Sequence, residues 1–179
     1  MKHFFCVLLG AIILAISGHV PAHSSDRPLV RADGFELTEK DVSRVVGHFA
    51  EMNIFVQRDV ELQGVLRLRL FAEEALSLGL DGDVQELDPT DVDQIMNLRN
   101  KYLRHLMEGY PVSAAVVESY YYSHPDRFEF EGISLDRETR EEISWIVRRA
   151  NLQKLQGKAY EKLMAKYNIV FCDAAAGCE

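Results

Sequence analysis

The chain has 179 residues and carries 28 acidic against 20 basic side chains, a formal net charge of −8. With no clustered basic stripe, that balance argues against nucleic acid and anionic membrane surfaces as partners. Apolar residues make up 47% of the chain and recur periodically, which excludes a disordered polymer.

Residues 1–22 have the layout of a secretory signal peptide. Lys2 supplies a positive start, Phe4 to Ile16 is an uncharged apolar run, and Val20-Pro21-Ala22 places small or apolar residues at the −3 and −1 positions. The run is shorter than the ~20 residues needed to span a bilayer. Cys6 lies inside it, too early for a lipoprotein cleavage site. The expectation is cleavage and a periplasmic or secreted protein, with no lipid anchor and no stable membrane insertion. Residues 23–171 then form one helical domain and residues 172–179 a tail.

Asp33-Gly34 separates two short alternating runs, Leu29 to Ala32 and Phe35 to Leu37, and predicts a tight hairpin. Thr38 caps the first helix, with Asp41 as the short-armed partner of a capping box. Val42, Val45, Val46, Phe49 and Met52 continue that helix as one apolar stripe. A second helix is predicted from about Asp59 to Leu78, ending at Gly79 in a left-handed position. Its apolar residues spread around the axis, so it is expected to be central.

The third helix follows "LDPTDV", with Pro89 near its first turn, and ends at Gly109-Tyr110-Pro111. The fourth runs from Ser113 to about Ser123, and His124 precedes a proline, which disfavours helical geometry there. The fifth is predicted as one long helix from Asp136 to about Tyr167, in which Gly157 marks a bend or a close contact. Residues 168–171, "NIVF", read as a strand. A lone hairpin is marginal in water, so this strand is expected to join it and bring the chain ends together. The fold class is mainly α: about five helices, the last packing back on the first two, closed by a small sheet.

Several of these stretches resemble SurA/PrsA-type periplasmic chaperones. "VRADGFELTEKDV" is similar to their opening, "VLRLRLFAEEALSLGLDGD" to their second helix, and "VSAAVVESYYYSHPDRF" to their Tyr-Tyr…Pro…Phe element. "REEISWIVRRANLQKLQGKAYEKLMAKYNIVF" looks like their C-terminal helix and closing strand. At Ala114, Ala115 and Val116 the chain departs from the acidic residues usual in the family after the helix-four cap. In the family a parvulin-type prolyl isomerase domain sits between the last two of these stretches. Here "EFEGIS" joins them directly, so the resemblance implies a peptide-binding domain without its isomerase.

The residues themselves offer little chemistry. His48, His105 and His124 stand in no ligand pattern such as H-E-x-x-H, and no nucleophile elbow or phosphate-cradling loop is present. Glu73-Glu74 and Glu141-Glu142 read as charged helix faces. Cys172 and Cys178 are candidates for a disulfide closing a small loop in an oxidising compartment. No metal, cofactor or enzymatic activity is expected.

Candidate peptide contacts are Met52, Ile54 and Phe55, where the first helix runs out, and Tyr120, Tyr121 and Tyr122 on the fourth. Flexible Met and rigid aromatic rings suit promiscuous peptide surfaces, whereas Phe49 continues the core stripe. The expected function is an exported chaperone-like protein binding unfolded or extended polypeptides. The alternative is a non-catalytic subunit holding one dedicated partner in an envelope or secretion assembly. A protease-coupled or NMR exchange assay on a proline peptide is expected to give the uncatalysed rate, and acceleration that survives purification would remove the non-catalytic reading.

Overall fold

The computed structural model describes residues 26–52, 58–128, 132–173 and 178. Two strands, β1 (Pro28–Ala32) and β2 (Phe35–Thr38), form the antiparallel hairpin. Gly34 turns it at φ +94°, a conformation that L side chains rarely adopt. Opposite one another in the register, Val30 and Leu37 face the core, while the neighbouring Arg31 and Glu36 form an exposed ion pair. A third strand, β3 (Val170–Phe171), pairs with the other edge of β1, giving the order β2-β1-β3. The two ends of the described chain therefore meet in one sheet with β1 at its centre.

Seven helices are present among the described residues: α1 (Glu39–Glu51), α2 (Arg58–Ser77), α3 (Val92–Glu108), α4 (Ala114–Tyr122), α5 (Pro125–Phe128), α6 (Arg137–Ala150) and α7 (Leu152–Lys166). The mainly helical class with a small β element holds.

Local chemistry explains most of the boundaries. The Thr38 hydroxyl accepts from the Asp41 amide at 3.2 Å and the Asp41 carboxylate accepts from the Thr38 amide at 3.0 Å, completing the capping box. After α2, Gly79 adopts φ +64°, the Leu80 amide reaches back to the Ala75 carbonyl, and the Gly79 amide reaches Leu76. That is a Schellman ending. α7 ends the same way around Asn168, at φ +48°, with Ile169 donating to Met164 and Asn168 to Ala165. Asparagine tolerates this left-handed position, and it shortens the strand expected over 168–171 to Val170–Phe171.

The third helix starts at Val92, with Pro89 before it and Asp91 as its cap, the Gln94 amide donating to the Asp91 side chain at 2.9 Å. His124 lies outside any helix, as expected, and a short helix not predicted from the sequence, α5, follows it at once, because proline's fixed φ suits a first helical position. Two expectations need correction. The predicted long C-terminal helix is broken, at Asn151 and not at Gly157. The Asn151 side chain donates to the Val147 carbonyl at 2.8 Å and so competes with the helical ladder. Gly157 sits inside α7, and a Cβ there would meet nothing within 4 Å. Finally, α7 packs on α2 and α3, whereas the expectation was the first two helices.

Two apolar clusters result. The larger joins the sheet to α1, α2, α3 and α7, with Leu66, Leu70, Phe71 and Leu98 fully buried. The smaller gathers Val117, Tyr121, Phe128 and Ile143 from α4, α5 and α6. Polar contacts tie elements together at the edges of these clusters. Lys101 on α3 holds the buried Asp81 carboxylate at 2.6 Å and keeps its pKa below the ordinary value. Glu74 on α2 pairs with Lys166 and accepts from the Tyr167 hydroxyl at 3.2 Å. Burial and the nearby Glu74 charge push that hydroxyl's pKa well up. No helix among the described residues is long and apolar enough to cross a membrane.

Removing residues 170–179 takes β3 from β1 and leaves β1 with an unpaired edge. Amide hydrogen exchange across residues 28–38 is expected to accelerate, while exchange in α4 and α6 stays unchanged. Unaltered exchange in the hairpin would show that it stands without its third strand.

Candidate binding groove

Glu61, Gly64, Val65 and Leu68 recur on α2 at i, i+3, i+4 and i+7, which sets them in one stripe along the helix. Val46 and Phe49, three apart on α1, face that stripe. Arg67 of α2, Arg99 of α3 and Gln156 of α7 complete the lining of a groove of about 230 Å³. Ligand pockets for whole small molecules run to roughly 300–1,000 Å³, so this one has room for one or two side chains. Val46, Phe49, Val65 and Leu68 make its walls apolar.

Gly64 is the informative residue. Inside a helix it destabilises by about 1 kcal/mol relative to alanine. No packing constraint demands it, since a Cβ there would meet nothing within 4 Å. The missing side chain leaves open space in the groove wall.

Charge is confined to three lining side chains, Glu61, Arg67 and Arg99. The Arg67 guanidinium lies 4.8 Å over the Tyr160 ring. Arg99 is half-buried, donates to the neutral Asn100 side chain at 2.8 Å, and has its pKa lowered by desolvation. Among the described residues neither arginine pairs with a carboxylate. Arg31, Arg44, Arg69, Arg127, Arg137 and Arg140 do, whereas Arg104, Arg148 and Arg149 likewise form no ion pair there.

A second depression, of about 400 Å³, lies between α1 and the start of α3 and is polar. There His48 Nε2 stands 3.5 Å from the exposed Asp93 carboxylate. Among the described residues no three His, Cys, Asp or Glu side chains are placed to hold a metal ion.

The candidate contacts read from sequence are scattered. Met52 is 44% exposed at the end of α1 and is not among the groove-lining side chains. Ile54 and Phe55 lie outside the described residues. Phe49, assigned to the core, is half-buried against the main cluster and also lines the groove. Tyr120 is half-buried and stacks on His124 at 4.0 Å. Tyr121 is buried, stacks on Phe128, and donates its hydroxyl to the Ile133 carbonyl at 2.6 Å. Tyr122 is 66% exposed. Tyr120 and Tyr121 thus belong to the smaller cluster, while the groove is built on the larger. Cys172 and Cys178 are joined by a disulfide just beyond β3.

Sequence reasoning missed Val46, Gly64, Leu68, Arg67, Arg99 and Gln156. One signal was available: a glycine within a helix of strong formers, with nothing local to require it. Comparison with protein-family models, curated proteins and solved structures returns no match to this chain.

Adjacent tyrosines with different surroundings should respond differently. Tyr121→Ala is expected to lose about 3–5 kcal/mol of stability, as large aromatic truncations in cores do. Tyr122→Ala is expected to stay within about 0.5 kcal/mol of wild type. Thermal or urea melts of the two variants measure both.

Proposed function

We propose that the protein is an exported, chaperone-like binder of unfolded or extended polypeptides, acting without prolyl isomerase or other catalytic activity. The observation that carries this reading is the apolar groove between α1 and α2 with Gly64 in its wall. A helix that forgoes about 1 kcal/mol at a position free of packing constraint retains a space that another group can enter. The resemblance of the N- and C-terminal segments to SurA/PrsA-type chaperones, without their parvulin domain, points the same way.

The size of the groove sets the kind of binding. Burying one aliphatic or aromatic side chain is worth about 1.5–3 kcal/mol, and a millimolar dissociation constant already needs about 4.1 kcal/mol. One groove therefore holds its client weakly and releases it quickly. Such behaviour delays aggregation without demanding a particular sequence. The acidic balance of 28 against 20 keeps the complex soluble while apolar surface is handled.

The test uses the glycine. Gly64→Leu fills the groove with a better helix former and is expected to keep or raise the melting temperature. The same change should reduce, several-fold, the suppression of aggregation of unrelated unfolded proteins followed by light scattering. Gly64→Ala is expected to gain up to about 1 kcal/mol of stability with a smaller loss of binding. Undiminished suppression by Gly64→Leu would refute the groove as the client site. Suppression of no unfolded protein, together with one tight partner, would favour the dedicated-subunit alternative.

A further inference from the structure

We infer that the groove takes the C-terminal end of a polypeptide, its last apolar side chain against Phe49 and Leu68 and its carboxylate on Arg99 and Arg67. This rests on the reading that the groove holds polypeptide, and it adds which part of the client is held.

Charge complementarity is the first support. The lining carries two arginines against one carboxylate, Glu61, in a chain with 28 acidic and 20 basic residues. Arg99 is half-buried with a neutral side-chain partner, so its charge is partly removed from water without an anion opposite it among the described residues. A guanidinium fork matches a carboxylate with two parallel hydrogen bonds, which a lysine could not do. Glu61, on the same lining, disfavours a second anion and can accept from the peptide N–H groups of the arriving chain.

The dimensions supply the second support. About 230 Å³ accommodates one or two residues and not an extended strand of several. In an extended chain successive side chains point to opposite faces, so an internal acidic residue would turn its neighbour's apolar group away from the walls. A terminal residue carries an apolar side chain and a carboxylate on the same Cα. Apolar walls beside unpaired arginines fit that combination.

The experiment measures fluorescence anisotropy of an N-terminally fluorescein-labelled hexapeptide ending in Leu-Phe, prepared as the free acid and as the C-terminal amide. Wild-type protein is expected to bind the acid about tenfold more tightly, the worth of a hydrogen bond to a charged group. In the double variant Arg67→Gln, Arg99→Gln the acid should fall to the affinity of the amide, and the amide's own affinity, unchanged, reports that the groove is intact. Arg99→Lys should restore only part of the preference. Equal binding of acid and amide by wild type, with both lost in Gly64→Leu, would overturn this inference and leave the groove reading standing. Binding of both peptides unaffected by Gly64→Leu would overturn the two together. Displacement of the acid peptide by decanoate at equal concentration would assign the groove to small carboxylates and overturn the inference as well.

Discussion

The fold depends on one helix having almost no side to spare. Leu66, Leu70, Phe71, Ala72 and Ala75 of α2 all have no exposed surface, and at about 100° per residue they spread over roughly two-thirds of the circumference of the helix. The sheet, α1, α3 and α7 are the surfaces that cover them. Ala72 and Ala75 are small, which lets neighbouring helices approach closely, and the most extensive helix–helix packing in the protein is between α2 and α3. A helix covered this way fixes the positions of its partners, and the groove is the stretch near its N-terminal half where the cover is incomplete.

Polar groups are arranged to avoid disturbing that cover. Among the described residues no buried side-chain nitrogen or oxygen lacks a hydrogen-bond partner. Glu74 illustrates the arrangement: one carboxylate on α2 receives both Lys166 and the Tyr167 hydroxyl from the end of α7. Leaving such groups unpaired would incur their full desolvation penalty, about 1–3 kcal/mol each. In the groove, the half-buried Arg99 has a neutral side-chain partner, Asn100, and Arg67 lies over the Tyr160 ring.

What could be read from the sequence follows from the range of the interactions involved. The Asp33-Gly34 turn, the Thr38–Asp41 capping box and the Gly79 ending are set by residues within a few positions of each other, so their patterns suffice. Pairing of β1 with β3 spans nearly the whole chain, yet it was legible because a hairpin of that size needs another neighbour. The break at Asn151 was not. Its cause is one side-chain amide bonding to Val147 in place of solvent, and the apolar periodicity runs straight through it. Nor was the groove, whose lining comes from four helices. Aromatic composition drew attention to Tyr120 to Tyr122, but burial separates Tyr121 from Tyr122 by a single helical step, a difference that residue type does not encode.

The central position of β1 has a bearing on how the chain matures. Val30 pairs with Phe171 and Arg31 with Val170, so among the described strands the first made is flanked on one side by the last. At a synthesis rate of about 5–20 residues per second, the nascent hairpin waits on the order of 10 s for that neighbour. Through all of that time one edge of β1 is an open template for pairing, and the helices made in between have no finished sheet to dock on. Completion of the sheet is thereby postponed until Val170 and Phe171 have been made.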